Sequence, residues 1–89
     1  MDHTATILSA LETMRLGELA KRDKSSVFKA LAYKKAMDEI RRLGRPITSV
    51  DDVAGVPAIG EKIAEKIREI VATGQLAAAE KVKATFGVD

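Results

Sequence analysis

The run Ala54-Gly55-Val56-Pro57-Ala58-Ile59-Gly60, leading straight into Glu61-Lys62-Ile63-Ala64-Glu65-Lys66-Ile67-Arg68-Glu69-Ile70-Val71, constrains this chain more than any other stretch. Its first half is rich in turn formers and cannot continue a helix. Its second half places Ile63, Ile67 and Ile70 on one face of a 3.6-residue period, the pattern of a strongly amphipathic helix. Just upstream, Ser49-Val50-Asp51-Asp52 has the form of a capping box with Asp in place of Glu, which opens a short helix reaching about Ala54. Thr73-Gly74 then stops the long helix. A short helix, a tight turn and an amphipathic helix are therefore predicted over residues 49–73.

The rest of the chain reads as helix, with no strand signal. Ile7, Leu8, Leu11 and Met14 form one apolar stripe, with Asp2 or Thr4 as its cap. Gly17 either ends or bends this helix, or Leu16, Leu19 and Ala20 carry it onward. Asp23-Lys24-Ser25-Ser26 supplies turn and cap residues for a second helix. Val27, Ala30, Leu31, Ala36, Met37, Ile40 and Leu43 mark its apolar face, and Gly44 and Pro46 end it. An alanine-rich last helix runs from Leu76 to about Phe86. The expected fold is all-α: a single domain, residues 1–89, built as a compact bundle of four main helices plus a short one.

Composition narrows the chemistry. With 89 residues there is room for one thin core, and with 3% aromatics that core is built from Leu, Ile, Val, Ala and Met. Cysteine is absent and His3 is the single histidine, which excludes thiolate catalysis, cysteine zinc sites, histidine metal clusters and histidine triads. No apolar run approaches the roughly 18 residues of a membrane span, and no signal-peptide pattern opens the chain. An intracellular protein, nuclear or cytoplasmic, with no membrane partner is expected.

Charge is unevenly spread. Residues 15–45 hold ten Lys and Arg against four acids, although the whole chain carries only +2. A basic segment on a nearly neutral protein is a plausible phosphate-facing surface, and equally an ordinary solvated helix face. The turn before Glu61 adds a second argument. The first residues of a helix present unpaired N–H groups and the positive end of its dipole, so a helix opening near Gly60 is an anion-binding device. A phosphate contact of this kind ignores base identity and weakens with salt.

The run Val56-Pro57-Ala58-Ile59-Gly60-Glu61-Lys62-Ile63-Ala64-Glu65-Lys66-Ile67 resembles the helix-hairpin-helix of the N-terminal lyase domain of family X DNA polymerases, of the beta and lambda type. Phe28-Lys29-Ala30-Leu31-Ala32-Tyr33-Lys34-Lys35-Ala36 is similar to the second-helix segment of that domain. Arg45-Pro46-Ile47-Thr48-Ser49 and Ala72-Thr73-Gly74-Gln75-Leu76 match its connecting pieces in order and spacing, and the likeness runs from about Leu19 to Val82. The resemblance implies sequence-independent contact with gapped, nicked or single-stranded DNA through Lys29, Tyr33, Lys34, Lys35, Ala58, Gly60, Lys62, Lys66 and Lys81. It also implies a 5′-deoxyribose-phosphate lyase with Lys66 as the Schiff-base nucleophile and Lys62 as a phosphate contact or secondary amine. No cofactor is required by that chemistry. A Na+ or K+ ion at the backbone carbonyls of Ala54, Val56 and Ile59, and a polymerase or other repair protein as partner, are further implications of the resemblance.

The chain departs from the family's pattern at several positions. The usual Gly-x-Gly is Ala58-Ile59-Gly60 here, so a Cβ stands where a positive φ or a close phosphate approach would favour glycine. Phe28 replaces the phosphate-contacting histidine of beta-type members; it could stack on a base or pack in the core. Ala54 and Ala78 fall where lysines flank the family's lyase pocket. By helical geometry Lys66 lies at the margin of the isoleucine face, where partial burial and Lys62 favour a neutral amine; the alternative is a snorkelling lysine on a solubilising face. Glu65 adjoins Lys66 in sequence but points about 100° away. Three uses of such a domain stand: a lyase, a non-catalytic DNA-binding module, or a protein-docking module presenting Ala77, Ala78 and Ala79.

Overall fold

The computed structural model describes residues 1–86. Among them are four α-helices and one short 3-10 helix, with no strand: α1 (Thr4–Lys21), α2 (Lys24–Leu43), the 3-10 helix (Val50–Val53), α3 (Glu61–Thr73) and α4 (Ala77–Phe86). The body measures 33 × 24 × 19 Å.

Helix α1 starts where Asp2 Oδ1 accepts the Thr4 N–H at 2.9 Å. Thr4 Oγ1 in turn accepts the Ile47 N–H at 3.0 Å, and the His3 N–H donates to the Ile47 carbonyl at 2.9 Å, tying the segment after α2 to the start of α1. The helix passes through Gly17 without a break. A Cβ at Gly17 would come within 2.8 Å of Val82 Cγ1, so this glycine is there for close packing of α4, not to end a helix. Termination falls instead on Arg22, in the left-handed region at φ 59°.

The next residue, Asp23, caps α2, its Oδ1 accepting the Ser26 N–H at 2.7 Å. The apolar stripe of α2 differs from its expected position at one end. Ser26, Ala30, Ala36, Met37 and Ile40 are buried, whereas Val27 and Leu31 are exposed. The connection from α1 is so short that the first turns of α2 lie close against α1, and the small side chains of Ser26 and Ala30 fit that contact. Hydrophobicity pointed to Val27 and Leu31; sterics put the neighbouring stripe inside. Phe28 is 72% exposed and so takes no part in the core.

The core is one cluster. Ile7 and Leu11 of α1, Met37 and Ile40 of α2, Ile47, Val53, the Ile63–Ile67–Ile70 face of α3, Leu76 and Ala79 all pack together. At about 25 cal/mol per Å² of apolar surface removed from water, these aliphatic side chains hold the helices together. Ala79 joins the core while Ala77 and Ala78 are exposed. The alanine run is thus partly the helix contact and partly open surface.

Candidate nucleic-acid interface

The hairpin is built from local rules. The Asp51 N–H donates to Ser49 Oγ at 3.1 Å, while Asp52 Oδ2 accepts the N–H groups of Thr48 (2.8 Å) and Ser49 (3.1 Å). These N–H groups hold the Asp52 carboxyl below the usual carboxylate range, Thr48 contributing most. Beyond Val53 the chain turns at Gly55, φ 81°, and the Ile59 N–H closes onto the Val56 carbonyl at 3.0 Å. The left-handed residue of the hairpin is therefore Gly55. Ala58 is not at positive φ, so its Cβ causes no backbone strain.

Gly60 forms the N-cap of α3 with extended backbone (φ −77°, ψ −178°) and no side-chain cap. The first intrahelical bond runs from the Ala64 N–H to the Gly60 carbonyl at 2.9 Å. Among the described residues nothing accepts from the amides of Glu61, Lys62 or Ile63. A Cβ at Gly60 would meet nothing within 4 Å. The mouth of α3 is open, with three donors available to a ligand.

Above this mouth lies a groove of about 630 Å³ lined by α2 and α3, and by Glu18 of α1. Lys29 and Tyr33 come from α2; Ala58, Gly60, Lys62 and Lys66 come from the hairpin and α3. Six sequence-predicted residues thus meet in one place. Lys66 is half-buried, while Lys29 and Lys62 are exposed. None of the three lysines has a carboxylate within ion-pair distance among the described residues. Tyr33 is half-buried, and burial followed by the negative charge of Glu18 raises its phenol pKa above the ordinary value. It therefore stays a hydroxyl donor at neutral pH.

Three predicted contacts lie elsewhere. Lys34 is held by Asp38 at 3.0 Å on the outer face of α2, Lys35 is exposed but does not line the groove, and Lys81 is exposed on α4. Glu65 is exposed and also outside the lining. Glu18, a groove residue the sequence did not reveal, is 7% exposed. A glutamate between Gly17 and Leu19 has no local signature of a site, because only the packing of α1 against α2 brings it there.

The hairpin carbonyls of Ala54 and Ile59 accept no hydrogen bond among the described residues, and that of Val56 accepts one. Three neutral oxygens suit a hard monovalent cation in donor type. No group of His, Cys, Asp and Glu among the described residues could hold a metal ion. Among the described residues no helix is long and apolar enough to cross a membrane.

An open amide mouth under a lysine-lined groove, framed by a short helix, a glycine turn and a long helix, is a helix-hairpin-helix, and the chain belongs to that family. The family model described as a helix-hairpin-helix domain matches residues 2–76. Among individual proteins, DNA polymerase lambda of Rattus norvegicus is 33% identical over 49 residues, which is 55% of this chain and 9% of that protein. The match therefore spans less than a tenth of that relative's length, and it agrees with the likeness to family X read from residues 56–67.

Proposed function

We propose that this chain binds the phosphate backbone of gapped, nicked or single-stranded DNA in the groove between α2 and α3, and that Lys66 gives it 5′-deoxyribose-phosphate lyase activity. The observation that carries this reading is the union of three unpaired lysines with an uncapped helix end in one groove. The amides of Glu61, Lys62 and Ile63 and the ammonium groups of Lys29 and Lys62 would take phosphate oxygens. Contacts of this type ignore sequence and weaken with salt. Lys34, Lys35 and Lys81 would add long-range attraction at the periphery.

In the chemistry proposed, the free amine of Lys66 attacks the aldehyde carbon of the sugar, and loss of water gives an imine. Elimination then releases the strand on the 3′ side, and hydrolysis returns the amine. No cofactor takes part. A Na+ or K+ ion at the carbonyls of Ala54, Val56 and Ile59 would supply positive charge facing a phosphate. Borohydride trapping of the chain on a 5′-deoxyribose-phosphate end tests the reading. A covalent adduct that disappears in Lys66→Ala supports it, and an adduct that persists in that variant assigns the reaction to another amine.

One observation favours a second use of the same fold. The positions where the resemblance places pocket lysines are the exposed Ala54 and Ala78, which leaves the phosphate site with fewer cations. A non-catalytic module would bind DNA with the same salt dependence and give no trapped adduct. A polymerase or other repair protein would then supply the chemistry.

A further inference from the structure

We propose that Glu18 is the base of the groove, and that its Oε1 takes the proton from the sugar carbon beside the imine carbon on Lys66. The proposal rests on the lyase reading above.

Glu18 is the one buried carboxylate among the described residues, with its side chain 9% exposed. Its two oxygens are treated differently. Oε2 is held by Lys21 Nζ at 2.9 Å, whereas Oε1 is buried with no hydrogen-bond partner. The other buried polar side chains follow a different pattern: Thr13 Oγ1 donates to the Ser9 carbonyl, and no orphaned atom is found on Ser26. An orphaned carboxylate oxygen destabilises a fold unless a ligand completes it. Glu18 is one of the residues that line the groove holding Lys66.

The other groups facing that groove are unsuited to removing the proton. Lys66 is consumed, because its nitrogen is part of the imine. Lys29 and Lys62 are ammonium groups that hold phosphate, and the Tyr33 hydroxyl keeps its proton. Glu61 is exposed at the start of α3, where water competes for its oxygens. From α4 the neighbour of this part of α1 is Val82, which carries no charge. Glu18 has a free, poorly solvated lone pair, and Lys21 fixes its orientation.

The step balances. The protonated imine acidifies the adjacent C2–H, and Glu18 Oε1 takes that proton. The C–H electron pair forms the C2=C3 double bond, the C3–O bond breaks, and its electrons leave with the 3′ phosphate. Glu18 returns the proton to water, and a water molecule hydrolyses the imine to release the unsaturated aldehyde and Lys66.

Single-turnover assays on a gapped duplex with a 5′-deoxyribose-phosphate end separate the two halves of the reaction. With Glu18→Gln, borohydride trapping persists within about threefold while elimination slows by about a hundredfold or more. With Lys21→Met, the carboxylate loses the ammonium that orients it, and elimination slows while trapping persists, a split that a packing role would not produce. Unaltered elimination in Glu18→Gln overturns the proposal and leaves Lys66 in place. So does a parallel loss of trapping and elimination in a variant that circular dichroism shows folded, or elimination at the wild-type rate in Lys21→Met. A wild-type chain that gives no adduct overturns the lyase reading and the base together.

Discussion

The N-termini of α2 and α3 solve the same local problem in opposite ways. Helix α2 begins at Asp23, whose carboxylate accepts the Ser26 N–H, and the dipole of that end is answered within the chain. Helix α3 begins at Gly60, and its first amides have no acceptor among the described residues. The other helix starts side with α2: Asp2 serves α1, Ser49 and Asp52 serve the 3-10 helix, and Glu69 Oε2 accepts the Ala77 N–H at 2.7 Å ahead of α4. The lysines show the contrast at one pair of places. Lys34 on the outer face of α2 is paired with Asp38, while Lys29, Lys62 and Lys66 in the groove have no ion-pair partner among the described residues. Where a helix start serves only the fold, the chain's own side chains take its amides; at α3 it leaves those donors for something else.

Replacing Lys62 and Lys66 together by Gln should lower affinity for a gapped duplex by an order of magnitude or more at low salt. The salt dependence should also become shallower by about one ion per lost phosphate contact, as read by fluorescence anisotropy across a salt series. Arg41→Gln with Arg42→Gln removes the same formal charge from cations that already pair with Asp38 and Glu39. Affinity should then change by about twofold or less, since exposed pairs and screened charges contribute little. Equal losses in the two variants would mean that overall charge, not the groove, binds DNA.

Gly60→Asp would make the start of α3 resemble that of α2. The extended backbone at Gly60 suits an aspartate cap, and its Cβ has room. Affinity should fall by about tenfold, because the new carboxylate takes the amides and repels phosphate, while Tm should rise slightly, by a few tenths of a kcal/mol in stability. Gains in both would show that the mouth of α3 is not a ligand contact. Asp23→Ala reverses the experiment: thermal melts should show Tm lower by several degrees with DNA affinity nearly unchanged.

The smallest effect concerns pH. N–H donors hold the carboxyls of Asp23 and Asp52 below the ordinary value of 3.8, the Ser26 backbone leading for the first and the Thr48 backbone for the second. A carboxyl depressed by folding stabilises the protein fully above its unfolded pKa and loses that contribution as pH falls through the folded value. Denaturant midpoints should therefore be flat from neutral pH down to about pH 5 and fall below about pH 4. Asp23→Asn should reduce that fall while retaining the cap.

The hairpin was legible in the residues because its rules are local. The Ser49–Asp52 box, the turn glycine and the Ile63–Ile67–Ile70 stripe each follow from neighbours within four positions. The resemblance added the roles of Lys62 and Lys66, which periodicity alone could not separate from solubilising lysines. At Ala58 the family pattern raised a question of strain that only the backbone answered, because the positive φ falls on Gly55. Val27 and Leu31 show the limit of hydrophobicity as a guide. Helix α2 buries Ser26 in their stead, beside the expected Ala30, because contact with α1 rewards small volume.

By itself the sequence determined which segments are helical, where most of them start and stop, and which end of α3 lacks a cap. Those properties arise from backbone hydrogen bonding and side-chain periodicity over a few residues. Only the tertiary structure decided that Gly17 is a helix interior closed against Val82, that Lys29 and Tyr33 face Lys62 and Lys66 across one groove, and that Glu18 is buried beside them with a bare oxygen. These depend on how helices distant in sequence pack, and packing is set by shape and volume, which no short window of residues contains.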